Sequence, residues 1–393
     1  MRQREPHSAL QAGLQFVCCL LLGSVLLGWL APGLARADGG APNLAYVAGA
    51  GQGVGLVDIA QRSMARTFAV TGRPNMVLLS PDGSLLYVTR PEAGSVVALA
   101  AKTGQTICSA SFPGQPALLA LSADAAVLYV AGLNETALLA LNARTCALEH
   151  SFQAPEPVHW LAATLSNVSS GDPQTQLWLA GTDAVSILDD QGTQLDRIII
   201  PGGPQYLCVP GSLTAYVATR QGSVVAVDML THRVITTLLS GGVFGSMDYN
   251  AVTGEIYVPD QRLQRIDVLT PVLADMALTP REPAYTLPMP GTPQAIAITN
   301  DGQLGLVALT NGQVVMLDLP AKSTLKTVFV GGNPRFIITG AYPPATVPQP
   351  ISSAAFPLLP VLAGLAVAIV AAAGVFFWLI RRRKKRVFLA RSG

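Results

Sequence analysis

The stretch SPDGSLLYVTRPEAGSVVALA (Ser80–Ala100) decides the fold. It opens on a Pro-Asp-Gly turn and runs into an apolar strand that ends in Tyr87-Val88-Thr89. It turns again at Pro91–Gly94 and returns as the strand GSVVALA. Two short apolar strands joined by a Gly- and Pro-containing loop read as a β-hairpin. The hairpin recurs. Its aromatic–aliphatic pair stands at Tyr46-Val47, Tyr87-Val88, Tyr129-Val130, Trp178-Leu179, Tyr216-Val217 and Tyr257-Val258. A seventh copy has Leu306-Val307, aligned by Asp301-Gly302, which matches Asp82-Gly83. The spacings are 41, 42, 49, 38, 41 and 49 residues. A fixed period of this length marks a repeat architecture.

Two further strands complete each unit. An outer one reads RTFAV (66–70), ICSASF (107–112), LEHSF (148–152), DRIII (196–200), VITTLL (234–239), AYTLP (284–288) and KTVFV (326–330). A corner follows, with Pro at 74, 116, 157, 204, 293 and 334; only Gly241-Gly242-Val243 lacks it. Then comes a very apolar strand, such as MVLLS (76–80) or RFIIT (335–339). No helical period interrupts these strands. Four short strands per roughly 40 residues, repeated radially, define an all-β, seven-bladed β-propeller. A sandwich needs no such period, and a parallel β-helix has shorter coils. The chain enters the ring on a second strand (Ala45–Ala48) and ends it on an innermost one (Arg335–Thr339). The last strand is therefore expected to complete the first blade, a velcro closure that leaves no open edge.

The Ser80-Pro-Asp-Gly turn with Leu86-Tyr87-Val88-Thr89, together with the Gly-x-Pro corners, resembles the YVTN-repeat β-propeller family of surface-layer and lactonase-like proteins. The resemblance covers residues of about 43–340. It implies export or surface association, and it leaves open a binding or scaffold role, a lactonase-like hydrolase, or a part of a haem or quinone dehydrogenase, because a fold does not choose among functions.

The flanks of the ring read differently. Arg2 and Arg4, an apolar run from Phe16 to Leu30 and Ala35-Arg36-Ala37 give residues 1–37 the order of a secretory signal peptide; an uncleaved anchor is the alternative. The domain is assigned to residues 38–342 and a Pro-rich stalk to 343–360. VLAGLAVAIVAAAGVFFWLI (Val361–Ile380) has the length of a transmembrane helix, and RRRKKR (Arg381–Arg386) in the tail 381–393 keeps that end in the cytoplasm. The expected location is the cell membrane, with the propeller extracytoplasmic. Residues 38–353 carry 15 basic and 22 acidic residues, a net charge of −7, which argues against a nucleic-acid partner.

No catalytic constellation stands out. The histidines His7, His150, His159 and His232 form no H-x-x-x-H pair, and neither C-x-x-C-H nor G-x-S-x-G occurs, so no metal, cofactor or catalytic residue is assigned. Of the exported cysteines, Cys208 is expected in the core. Cys108 and Cys146 are placed on outermost strands of adjacent blades, whose divergence disfavours a bridge. The sequons at Asn134 and Asn167 are read as chance.

The loops between blades and the second-to-third-strand turns share one face, around the channel mouth. They carry the candidate ligand-binding residues Arg73, Asn75, Arg90, Glu156, His159, Arg220, Asp260, Asn333 and Arg335, with Glu92 and Arg262 beside them. Both chain ends leave from the opposite face. The expected function is a binding or scaffold module at the cell envelope, the partner being an envelope protein, a glycan or a small molecule. A lactonase-like hydrolase at the channel mouth is the alternative.

Overall fold

A computed structural model describes residues 43–165, 174–210, 213–273, 276 and 281–340. Within them lie seven four-stranded antiparallel sheets, each ordered from innermost to outermost strand. Blade 1 joins Phe336–Thr339 to Leu44–Ala50, Gly53–Asp58 and Ser63–Ala69. Blades 2 to 7 follow in chain order, from Val77–Leu79 to Ser323–Phe329. The closure matches the sequence expectation: Ala45 pairs with Thr339, and the ladder runs to Ala48 opposite Phe336. Every described strand lies between Leu44 and Thr339, and the seven sheets close without any described residue from outside that range. Among the described residues no helix is long and apolar enough to cross a membrane. The signal-peptide, stalk, membrane-span and tail assignments lie outside the described residues.

The repeated aromatic explains why the blades stack. Tyr46, Tyr87, Tyr129, Trp178, Tyr216 and Tyr257 are all among the largest fully buried side chains. Each ring projects from a second strand into the next blade. Tyr46 packs with Val77, Leu86 and Val97 of blade 2, and Trp178 packs with Leu207 and Val217 of blade 5. Burying such a ring stabilises by about 2–3 kcal/mol. The hydroxyl at the ring's tip must then find a partner: Tyr46 Oη donates to Ala101 O at 3.2 Å, and Tyr216 Oη accepts from Val272 N at 3.0 Å.

Turn chemistry fixes the blades' register. Ser80 Oγ and Ser84 N both donate to Asp82 Oδ1, and Asp124 and Asp301 repeat this pattern with Ser122 and Thr299. These hydrogen bonds, the serine hydroxyls first, hold Asp82 and Asp124 below the usual carboxylate range. Between third and outermost strands, Asp58, Asn142, Asp228 and Asp318 each accept from the backbone N–H three residues on. The residue after that, Arg62, Cys146, His232 or Lys322, sits at positive φ.

That turn overturns one expectation: Cys108 and Cys146 form a disulfide, with Cα atoms 5.7 Å apart. Cys146 is not on the outermost strand, which begins at Leu148, but at the left-handed position of the turn before it, with φ 56°. From there its side chain leaves its own sheet and meets the preceding blade. The same site is used around the rim. Arg66 of blade 1 donates to Lys102 O, His150 Nε2 of blade 3 lies 2.8 Å from Asp190 O, and Asp196 Oδ2 of blade 4 lies 2.6 Å from His232 Nδ1. Lys322 of blade 7 stands 4.0 Å from the Tyr285 ring centroid of blade 6. Outer strands do diverge, but the turn reaches across the gap.

Two local departures matter for the site. The outermost strand of blade 3 runs from Leu148 to Val158, through the expected Pro corner. In blade 6, where the corner has no Pro, only Asp248 and Tyr249 pair as an innermost strand. Ser246 instead bridges to Ala295 of blade 7, with Ser246 N donating to Gln294 O at 2.9 Å.

Candidate functional site

The innermost strands begin at one end of the channel, directly after the corners. Side chains at the heads of several of these strands line the channel mouth, and Trp160 and Phe336 among them also pack against the blade cores. The result is a basin of about 520 Å³, within the usual range for small-molecule sites. Its floor is apolar: Trp160, Tyr206 and Phe336 with Met76 and Leu118. Trp160 meets Tyr206 edge-on at 5.1 Å between ring centroids and Phe336 at 5.8 Å. All three rings remain half-buried, so each keeps a surface free for a ligand.

The polar rim stands on the residue that follows the corner proline in four blades: Asn75 after Pro74, Gln205 after Pro204, Gln294 after Pro293 and Arg335 after Pro334. Arg335 Nη1 donates to Asn75 Oδ1 at 3.3 Å, and Asn75 Nδ2 donates to Ala117 O at 3.1 Å. Arg220 enters from the turn between the second and third strands of blade 5 and donates to Thr182 O. It lies across Gly203, which has φ 69°; a Cβ there would come within 2.5 Å of Arg220 Nη2. Glycine at 203 therefore gives the guanidinium its path.

His159 completes the rim. Its backbone N donates to Ala180 O at 2.7 Å, while its buried Nε2 has no hydrogen-bond partner among the described residues. Burial first, and the Arg220 charge second, hold its pKa below the ordinary histidine value, so the ring is neutral at pH 7. Burial likewise raises the Tyr206 phenol, which stays protonated as a donor.

Of the residues expected from sequence, Asn75, His159, Arg220, Asn333 and Arg335 line this basin. The others are engaged elsewhere. Arg73 pairs with Glu92 at 3.0 Å, and Arg90 donates to Thr71 O and Oγ1. Glu156 accepts from Thr182 N and Arg197; burial would raise its pKa, but these bonds prevail and lower it. Asp260 is buried and accepts from the Arg262 and Leu263 N–H groups, closing its own turn. The aromatic floor was missed because apolar innermost strands read as core. A polar–apolar dipeptide at the corner, as in Asn75-Met76, His159-Trp160, Gln205-Tyr206 and Arg335-Phe336, is the signal that marks it. Among the described residues no group of three His, Cys, Asp or Glu side chains is arranged to hold a metal ion.

No protein-family model matches this chain, and no curated protein matches it in sequence. Solved structures do match in fold. The hydrazine synthase of Kuenenia stuttgartiensis aligns with a TM-score of 0.53 at 14% identity, over 70% of this chain and 91% of that one. The β-propeller domain of Myceliophteria thermophila Cps50 (Swd1) aligns with a TM-score of 0.59 at 14% identity, over 71% and 92%. NirN, a dihydro-heme d1 dehydrogenase in complex with DHE, aligns with a TM-score of 0.55 at 16% identity, over 78% and 77%. These likenesses show the seven-bladed propeller fold and nothing finer.

Proposed function

We propose that this chain is an extracytoplasmic binding module of the cell envelope, anchored by residues 361–380, whose ligand enters the channel-mouth basin. One observation carries the reading. The basin opens beside Phe336 and Asn333, whereas the described chain enters at Asn43 and leaves at Gly340, at the other end of the same strands. Neither described end of the chain therefore adjoins the basin. The lining also suits capture: half-buried rings supply contact area, and amides and guanidiniums supply orientation. The YVTN-like repeat pattern and the secretory order of residues 1–37 support the location.

Thermal-shift screening of residues 38–342 against envelope-derived small molecules and glycans tests the reading. A true ligand raises the Tm of the wild-type domain and loses most of that shift in Trp160→Ala. Ligands whose shifts are indifferent to Trp160 would place binding elsewhere and refute the basin.

A further inference from the structure

We infer that the basin selects an organic anion with a flat apolar body, an aromatic carboxylate or sulfonate in chemical class. The inference rests on the basin being the binding site and adds the chemistry of what it takes.

The sign of the charge comes first. Residues 38–353 are acidic overall, with a net charge of −7, yet the basin lining contains two guanidiniums, Arg220 and Arg335, and no Asp or Glu. Neither guanidinium has a carboxylate partner among the described residues. This contrasts with Arg73 and Arg197 on the same face, which pair with Glu92 and Glu156. Arg335 is held by the neutral amide of Asn75 and Arg220 by the carbonyl of Thr182. Each is thus oriented without being neutralised. His159 is kept uncharged, so it does not add a third cation, and its neighbour Trp160 remains an apolar surface. A positive rim on an acidic domain draws anions and repels cations.

The shape of the body comes next. The floor is Trp160 with two further aromatic rings, Tyr206 and Phe336, within 5.8 Å of it, and two apolar side chains, Met76 and Leu118, with no charged group among them. Such a floor takes apolar planes by stacking and edge contacts. A bare inorganic anion would gain nothing from it. A neutral apolar molecule would leave both guanidiniums without a counter-charge and gain nothing from them. Only a molecule with both parts satisfies floor and rim together.

The test uses two fluorescent probes of nearly the same shape, anionic 8-anilino-1-naphthalenesulfonate and neutral N-phenyl-1-naphthylamine, with residues 38–342, which contain the whole closed ring. The wild-type domain should bind the sulfonate at least tenfold more tightly than the amine. Each of Arg220→Gln and Arg335→Gln should weaken the sulfonate about tenfold, the loss of one charged hydrogen bond, and change the amine less than twofold. Lysine at either position should restore most of the sulfonate binding. Trp160→Ala should weaken both probes. If both bind through Trp160 but the arginine variants treat them alike, the anion inference fails and the basin stands. If neither binds, or Trp160→Ala changes nothing, the basin itself is wrong.

Discussion

His232 of blade 5 places Nδ1 2.6 Å from Asp196 Oδ2 of blade 4, the same relationship that Cys146 of blade 3 has to Cys108 of blade 2. In both pairs the later residue, His232 or Cys146, sits at the left-handed turn position, with φ 54° and 56°. In both, the earlier residue, Asp196 or Cys108, lies four residues beyond the equivalent turn position of its own blade, Gly192 and Gly104. The rim is therefore a series of interchangeable clasps, one of them covalent.

Interchangeability is testable. The double variant Asp196→Cys with His232→Cys should form a second disulfide on oxidation, read as the loss of two free thiols by mass after alkylation. Two remaining thiols at these positions would show that the two clasps are not geometrically equivalent.

Removing the native clasp should cost stability. Cys108 and Cys146 are 38 positions apart, and closing a loop of that length stabilises by about 2–4 kcal/mol, chiefly through the unfolded chain. Urea unfolding of Cys108→Ala with Cys146→Ala, compared with the oxidised domain, should show a lower midpoint with an equal or steeper slope, because the unfolded chain is free to expand. An unchanged midpoint would mean that the bridge contributes nothing.

Closure should be indispensable. Phe336–Thr339 is the innermost strand of blade 1, and its loss exposes the edge of Leu44–Ala50 and an apolar seam. A domain ending before Asn333 should aggregate or lose its single cooperative thermal transition. A soluble truncation that melts like the intact domain would contradict the role given to this strand.

Asp248 should leave a signature in the pH dependence of stability. Its carboxylate lies between the innermost strands of blades 6 and 7 and accepts from Ile298 N at 2.7 Å and from Tyr249 N. Burial outweighs those bonds and lifts its pKa to about 6 from an ordinary 3.8. A raised acid binds its proton more tightly folded than unfolded. Its contribution is thus favourable at low pH and declines as pH rises through the window from 3.8 to about 6. Asp248→Asn removes that decline. The stability difference between variant and wild type should shift in the variant's favour by about 3 kcal/mol across the window. Parallel pH profiles would refute the assignment.

Much of this molecule is legible in its sequence, and the reason is physical. A blade is built from local hairpins, so Tyr87-Val88 and GSVVALA report their pairing directly, and seven copies report the ring. What lies between blades is less legible. The Cys108–Cys146 bridge depends on a backbone angle at one turn residue, and alternation along a strand says nothing about it. The channel mouth is hidden for a related reason. Trp160, Tyr206 and Phe336 carry the apolar signature of core residues, and only their place near the head of an innermost strand sets them beside the basin. Charged loop residues mislead in the opposite direction. Arg73 and Asp260 sit on the expected loops, but one is paired with Glu92 and the other is folded into its own turn.

The central claim is that ligand binds at the channel mouth, and a crystal structure of residues 38–342 with 8-anilino-1-naphthalenesulfonate tests it most directly. A second cavity, of about 370 Å³, lies at the far end of the strands beside Tyr216, Tyr249 and Pro271, and it offers the probe an apolar alternative. The account predicts the naphthalene ring against Trp160, Tyr206 and Phe336, with the sulfonate within hydrogen-bonding distance of Arg220 or Arg335. Density for the probe at Tyr216 and Pro271, with the channel mouth empty, would contradict it.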